Sequence, residues 1–330
     1  MSADPALPLP CRISISTAFR GRRIAAGAAL AGAAPLLGGC QVAVLDPMGP
    51  IGSAERSIIL LATGLMLIVV VPVIAMTLAF AWRYRASNSD AVYAPEWDHS
   101  RGIEAVVWLV PCLIIAALGT VTWVSTHRLD PTRPIASREK PITVEVVSLD
   151  WKWLFIYPDL KIASVNELAM PVGVPVAFRL TSSSVMNAFF IPALGSQIYT
   201  MAGMQTQLGL LASKAGRYEG FSANYSGDGF SDMNFTARAM SAADFASWVE
   251  RARASPRALT LASYRELARP SEKVPVAYYG SVEPTVFHDA LNQCANGGTC
   301  MDTAMMLAMA KEALGGNFSL CSPAAAKGAP

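Results

Sequence analysis

Apolar positions along the chain fall into three successive patterns. Long unbroken runs come first: residues 24–39, 57–82 and 105–126 carry no Asp, Glu, Lys or Arg over 16, 26 and 22 residues. A shorter period begins at Pro141. There Ile142, Val144 and Val146 alternate with Thr143, Glu145 and Val147, the repeat of a strand. Further short β-like runs are Trp153–Tyr157, Val174–Thr181, Val185–Ile191, Gln197–Met201, Gln205–Leu211 and Tyr218–Ala223. They are punctuated by Pro158, Gly173, Pro175, Pro192, Gly195 and Gly216. After Met240 the spacing turns helical. Ser241 to Asp244 opens a stretch with Phe245, Trp248 and Val249 on one face, ending near Ser255-Pro256. A second helix is predicted over 258–268.

At ~1.5 Å per helical residue the 57–82 run spans about 39 Å, enough to cross a ~30 Å hydrocarbon core with some tilt. Pro72 inside it is tolerated where neighbouring helices satisfy the freed carbonyl. Trp82 and Tyr84 at its exit, and Trp108 and Trp123 bracketing 105–126, suit the headgroup level. A buried soluble helix is the competing reading; two such lengths with aromatic flanks favour spanning. The 24–39 run differs. It is short, rich in Ala and Gly, and follows Arg20, Arg22 and Arg23, as in a signal peptide. It ends Leu36-Leu37-Gly38-Gly39-Cys40, the small-residue approach to a cysteine that lipoprotein signal peptidase cuts, predicting a lipidated Cys40. A plain signal with a chance cysteine is the alternative. A lipidated Cys40 lies outside the inner membrane, so loop 83–104 is expected in the cytoplasm and the chain after about 127 outside. Arg83, Arg85 and Arg101 agree, while Arg128, Arg133 and Arg138 dilute the bias.

Composition sharpens this division. Of 330 residues, 15% are charged and 53% hydrophobic, against roughly 25% charged in ordinary soluble domains. Mean hydropathy is +0.37. Disorder, a coiled coil and a basic nucleic-acid arm are excluded. The net charge of +2 gives no reason to expect polyanions, and it comes from the leader, because Arg12, Arg20, Arg22, Arg23 and Asp4 leave a chain from Cys40 near −1. The expected architecture is membrane α plus all-β. A signal peptide (1–39) precedes a lipid-anchored segment (40–56) and a transmembrane hairpin (57–126, helices about 57–82 and 104–126). A linker (127–140) leads to a β-sandwich or barrel (141–240), a helical arm (241–285) and a poorly defined tail (286–330). No helical crossover separates the strands, which speaks against a parallel α/β sheet. In an oxidising compartment Cys294 could pair with Cys300, or Cys300 with Cys321; spacing does not choose. Cys112 reads as a small membrane-core residue.

Two membrane helices before an external β-sandwich is the layout of subunit II of haem–copper respiratory oxidases. Particular residues carry a closer likeness: Leu45-Asp46-Pro47, Phe80 to Asn88, Glu104 with Val106-Val107-Trp108, Val146 to Trp153, Ser184 to Pro192 and Gly195 to Tyr199. Over roughly 36–285 the chain resembles the cytochrome bo-type ubiquinol oxidase subunit II family, and much less so in the tail. The resemblance implies a cupredoxin-like periplasmic domain. It places the protein in the bacterial inner (cytoplasmic) membrane, multi-pass, with a lipid-anchored N-terminus. A haem-bearing subunit I, further small membrane subunits and lipid are the implied partners, with quinol used by the whole complex. Haems and copper are expected in subunit I and no cofactor in this chain.

Copper-bearing relatives in the wider family hold a binuclear centre with one His in an early loop, then Cys-x-x-x-Cys-x-x-x-His-x-x-Met, a Glu between the cysteines binding by its carbonyl. Here the early position is Asn187. In the later loop Ser222 and Ser226 stand at the cysteines, Asn224 at the Glu and Phe230 at the second His; only Met233 is retained. Serine oxygen is a hard, poor ligand for copper and phenyl has no lone pair. The three histidines, His99, His127 and His288, lie outside 141–240. The loss argues for quinol rather than cytochrome c as donor. Met186, Met201, Met204, Met233 and Met240 could suggest a Cu(I) thioether site, although Met more often fills core gaps. Trp151 and Trp153 read as packing residues without redox duty.

Glu104 opens the second helix at its expected cytoplasmic edge. A carboxylate there is stabilised by the helix dipole, but ionisable groups at membrane edges also mark proton relays. In the family the matching glutamate lies at the mouth of a proton channel of subunit I, which makes Glu104 the candidate proton-entry group. No catalytic residue is expected in this chain. The sequence thus reads as a subunit of a proton-translocating quinol oxidase that reduces oxygen to water. A cupredoxin-like, membrane-anchored copper-binding or assembly lipoprotein is the alternative, and a purely structural binding module a third.

Overall fold

The computed structural model describes residues 43–90, 92 and 95–313. The expected signal peptide, Cys40 and Cys321 lie outside the described residues.

Two long helices lead: α1 (Pro50–Arg83) and α2 (Arg101–Arg128). Both exceed the apolar runs that predicted them. Pro50 sits in the first turn of α1, where its missing N–H costs nothing, and nothing in Gly52 to Arg56 stops a helix. Charge marks the membrane edge, not the helix end. The extra turns dock on the β-domain: Gly52 N–H donates to the Leu194 carbonyl (3.0 Å), Met48 N–H to Ala193 (2.7 Å) and Ser213 N–H to Met48 (2.8 Å). Ser196 donates its hydroxyl to Glu55. The approach needs a glycine at 195 (φ 152°), because a Cβ there would lie 2.7 Å from Ile51 Cγ2. The β-domain and the 84–100 loop therefore lie at opposite ends of the hairpin.

The β-domain is a sandwich. One sheet contains β1 (Ile142–Leu149), β2 (Lys152–Tyr157), β3 (Ile162–Val165), β5 (Val176–Ser182), β8 (Thr206–Leu210) and β12 (Ala277–Tyr279), in the order β12-β3-β2-β1-β5-β8. The other contains β4 (Glu167–Pro171), β6 (Asn187–Ile191), β7 (Gly195–Thr200), β9 (Gly216–Ser222) and β10 (Asn234–Met240), in the order β4-β10-β9-β6-β7. The inner faces meet in a core of Val144, Val146, Trp153, Phe155, Phe178, Phe189 and Phe235. Phe189 and Phe235 stack at 5.2 Å, with Trp153 edge-on to both.

The expected strands are present, with ends shifted by no more than two residues. β3, β4 and β10 were not anticipated. β3 and β4 are short and separated by Asn166 at φ 57°, and β10 buries small residues, Ala237 and Ala239, around Arg238. Adjacent pairs are mostly antiparallel, but β1 runs parallel to β5 and β4 to β10. Those pairs need no helical crossover, because the intervening chain runs through the opposite sheet or through neighbouring strands.

The break expected at residue 240 does not separate the arm from the sandwich. α3 (Ala242–Arg253), β11 (Ala258–Leu259), α4 (Leu261–Leu267), β13 (Ser281–Val282) and α5 (Val286–Leu291) follow, and β12 adds to the first sheet beside β3. Leu259, Tyr264, Tyr279, Val286, Phe287 and Ala290 cover Val147, Leu149, Leu154 and Ile156 on the outer face of that sheet. This second core explains why all six residues of β2 are buried. The region expected to be an undefined tail contains α5 and a further helix, α6 (Met301–Ala313). Cys294 and Cys300, just before α6, are joined by a disulfide.

Candidate functional site

The aligned copper-ligand positions converge at one end of the sandwich. Asn187 starts β6, Ser222 ends β9, and the 223–233 loop returns over them into β10. Asn187 and Ser222 are both buried. Ser222 Oγ donates to Asn187 Oδ1 (3.1 Å) and accepts from Ala188 N–H (3.3 Å). Asn187 Nδ2 donates to the Val185 carbonyl (3.3 Å), and Asn224 Nδ2 to that of Met186 (3.0 Å). The Ser226 hydroxyl faces Met233 Sδ at 4.0 Å, and Phe230 packs edge-on against Tyr225 at 5.6 Å.

These residues do not fit a copper pair. The set offers amides, hydroxyls, a phenyl ring and one thioether, with no thiolate or imidazole. Its polar atoms are also spent on one another: among the described residues no buried side-chain N or O lacks a partner. A hydrogen-bonded plug fills the cradle and ties the 223–233 loop to β6.

Trp151 secures that loop, a part not assigned from the sequence. It occupies the two-residue β1–β2 turn at φ 64°, a left-handed conformation costing about 1–2 kcal/mol for a bulky residue. Its indole N–H donates to the Ser226 carbonyl (3.0 Å). Its ring lies on Gly229, where a Cβ would come within 2.5 Å of it. Trp153, two residues on and facing the same way, donates from Nε1 to the Met233 carbonyl (3.4 Å).

Two buried ionic groups bind the arm to the sandwich. Lys152, inaccessible to solvent, donates three hydrogen bonds: to the Asp150 carbonyl (3.0 Å), the Arg269 carbonyl (2.8 Å) and Ser271 Oγ (2.7 Å). Burial pulls its pKa below the usual lysine range, with Asp150 opposing. Glu167 on β4 accepts from Trp248 Nε1 (2.8 Å), the Tyr278 hydroxyl (2.6 Å) and Arg238 (3.4 Å). Burial, reinforced by that carboxylate, pushes the Tyr278 hydroxyl up to about 12, so it stays a donor at neutral pH. A lone Lys or Glu inside a strand gives no sign in sequence that partners about 80 to 120 residues away await it.

Glu104 lies in the first turn of α2, exposed, with Oε2 3.6 Å from His99 Nδ1. It is far along the hairpin from the plugged cradle, so the two candidate features do not form one site.

Cytochrome bo(3) ubiquinol oxidase subunit 2 of Pseudomonas aeruginosa is 57% identical to this chain over 269 residues, covering 82% of the chain and 81% of the relative. The chain belongs to the ubiquinol oxidase subunit 2 family. The Acetobacter aceti ubiquinol oxidase subunit 2 agrees, at 53% identity over 264 residues, 79% of this chain and 86% of that one. A family model, the COX Aromatic Rich Motif, matches residues 253–298. That stretch covers most of the arm described above, whose Tyr264, Tyr279 and Phe287 line the second core. The periplasmic domain of subunit II of cytochrome oxidase from Bradyrhizobium japonicum is 27% identical, covering 33% of this chain and 91% of that one, with a TM-score of 0.32.

Proposed function

We propose that this chain is the membrane-anchored, copper-free second subunit of a bacterial quinol oxidase, a complex that oxidises quinol, reduces oxygen to water and translocates protons. One observation carries the reading beyond family membership. The cradle where copper-bearing relatives accept electrons is closed here by the Asn187–Ser222–Asn224 plug. Electrons then enter the complex elsewhere, in a haem- and copper-bearing subunit I. The apolar surfaces of α1 and α2, with Trp108 and Trp123 each about 70% exposed, serve lipid, subunit I and further small membrane subunits. Cleavage before Cys40 and its lipidation place the sandwich in the periplasm and the 84–100 loop in the cytoplasm. Glu104, at that cytoplasmic end with His99 beside it, is the proton-entry group.

Purification of the complex in detergent tests this. A haem-bearing partner, quinol-dependent oxygen uptake and no copper in the isolated chain are expected. Stoichiometric copper in the isolated chain would favour a copper-binding lipoprotein instead, and absence of a haem partner would sink the oxidase reading. Glu104→Gln is expected to slow turnover and proton uptake in proteoliposomes; unchanged rates would remove its role. Intact mass of the purified chain checks Cys40: an unprocessed or unmodified terminus refutes the anchor.

A further inference from the structure

We infer that the 288–302 corner of the arm is a redox-gated site for a divalent metal of the zinc class. In the dithiol form its four donors are Cys294 Sγ, Cys300 Sγ, His288 Nδ1 and Asp289 Oδ1.

In the disulfide form these atoms already converge. Asp289 Oδ1 lies 3.4 Å from His288 Nδ1 and 3.7 Å from Cys294 Sγ. Donor atoms of His288, Asp289 and Cys300 all fall within 4.8 Å of one another. Metal–ligand bonds of ~2.0–2.3 Å in a tetrahedron put donors about 3.3–3.8 Å apart. The two sulfurs, joined in the disulfide, must separate, and any pair near the 4.8 Å limit must draw in by about 1 Å.

The backbone holds the ligands together independently of the disulfide. His288 and Asp289 sit on α5. Cys294 N–H donates to the Asp289 carbonyl (3.0 Å), Met301 N–H to Asn292 (3.0 Å) and Gly297 N–H to Cys294 (2.9 Å). Ala304 N–H donates to Cys300 at the start of α6 (2.9 Å). Opening the S–S bond therefore leaves Cys294 beside Asp289 and Cys300 beside both His288 and Asp289.

The imidazole is also oriented for the task. Its other nitrogen, Nε2, lies 3.0 Å from Asp302 Oδ2. A carboxylate accepting from one ring nitrogen directs the lone pair of the other at a metal, the usual outer partner of metal-bound histidine. Asp302 is in turn fixed by the Thr303 N–H (2.6 Å). His288 is about half exposed, so metal and reductant have access.

The exchange balances. A dithiol reductant transfers two electrons to Cys294–Cys300 and leaves as its own disulfide, giving two thiols. Zn²⁺ then binds both sulfurs and releases their two protons. A disulfide oxidant of the same class reverses the sequence and expels the metal. Residues of the plugged cradle and Glu104 take no part, so the site stands or falls separately from the oxidase reading.

The test uses the full chain in detergent, untreated or reduced anaerobically with a phosphine, then mixed with Zn²⁺ and desalted. About one Zn²⁺ per reduced chain and none per oxidised chain is expected, and Co²⁺ in its place should give a thiolate charge-transfer band. C294S/C300S, which keeps the other cysteines, should lose the metal. His288→Ala keeps both thiols and should weaken Zn²⁺ at least ~10-fold. Asp302→Asn, which removes a positioning residue, should weaken it about 10–100-fold. No uptake by the reduced chain, equal uptake by C294S/C300S, or wild-type affinity in His288→Ala would each overturn the site.

Discussion

The hairpin and the sandwich are both rich in apolar residues, yet they dispose of them in opposite ways. α1 and α2 turn theirs outward, with Trp108 and Trp123 mostly exposed. The sandwich turns its own inward, into one core between the sheets and a second beneath the arm. The hairpin leaves its apolar faces to be covered from outside the chain, whereas the sandwich and arm complete each other. Mutations in the two regions should therefore register in different experiments.

The largest contrast is between tryptophans. Trp153→Ala opens a cavity among Phe155, Phe189 and Phe235 and should cost about 3–5 kcal/mol in thermal or denaturant unfolding of the detergent-solubilised chain. Trp108→Ala should change that stability by less than about 0.5 kcal/mol and instead reduce recovery of the proposed haem-bearing partner. A Trp108→Ala chain that unfolds by itself would break the comparison.

Next are the groups that join arm to sandwich. Glu167→Ala strands the Trp248 indole and the Tyr278 hydroxyl, and should cost about 2–3 kcal/mol. Hydrogen exchange should rise along α3 and β12 while α1 and α2 stay unchanged. Lys152→Met removes a charge that burial disfavours but leaves the Arg269 carbonyl and Ser271 unpartnered. A loss of about 1–2 kcal/mol is expected, with faster proteolysis near residues 269–273; a gain in stability would show that the desolvated charge outweighs its three bonds.

The smallest effect depends on pH. Burial holds the Glu145 carboxyl above the usual range; Arg179 opposes it, and Asp159 adds a smaller push upward. A raised folded pKa means that the stability it contributes is complete below the unfolded value near 4.5 and is lost as pH rises through the folded value. Glu145→Gln should therefore raise the unfolding temperature by about 1–2 °C at pH 7, and the gain should vanish near pH 4. A gain that persists in acid would assign the effect to packing rather than charge.

The contrast between regions also shows which signals in the sequence were informative. Lack of charge was not sufficient by itself: residues 180–213 are a 34-residue stretch without Asp, Glu, Lys or Arg, longer than either membrane run, and they fold into β5 to β8. Their Ser, Thr, Asn and Gln, and their two-residue period, separate them from the hairpin. Conversely, β1 looked like a half-buried strand, yet its later outward positions, Val147 and Leu149, are fully covered by the arm, while Thr143 and Glu145 stay partly exposed.

Run length, two-residue alternation and the residue types at the copper positions are local properties, and by themselves they determined the hairpin, the sandwich and the lack of thiolate and imidazole ligands. Pairings between distant segments belonged to the tertiary structure alone. Glu167 meets Trp248, Lys152 meets Ser271, β1 lies parallel to β5, and Cys294 is bonded to Cys300. Local pattern reports whether a side chain prefers water, whereas a buried charge or a strand edge is satisfied only by whichever remote group the closed fold brings to it.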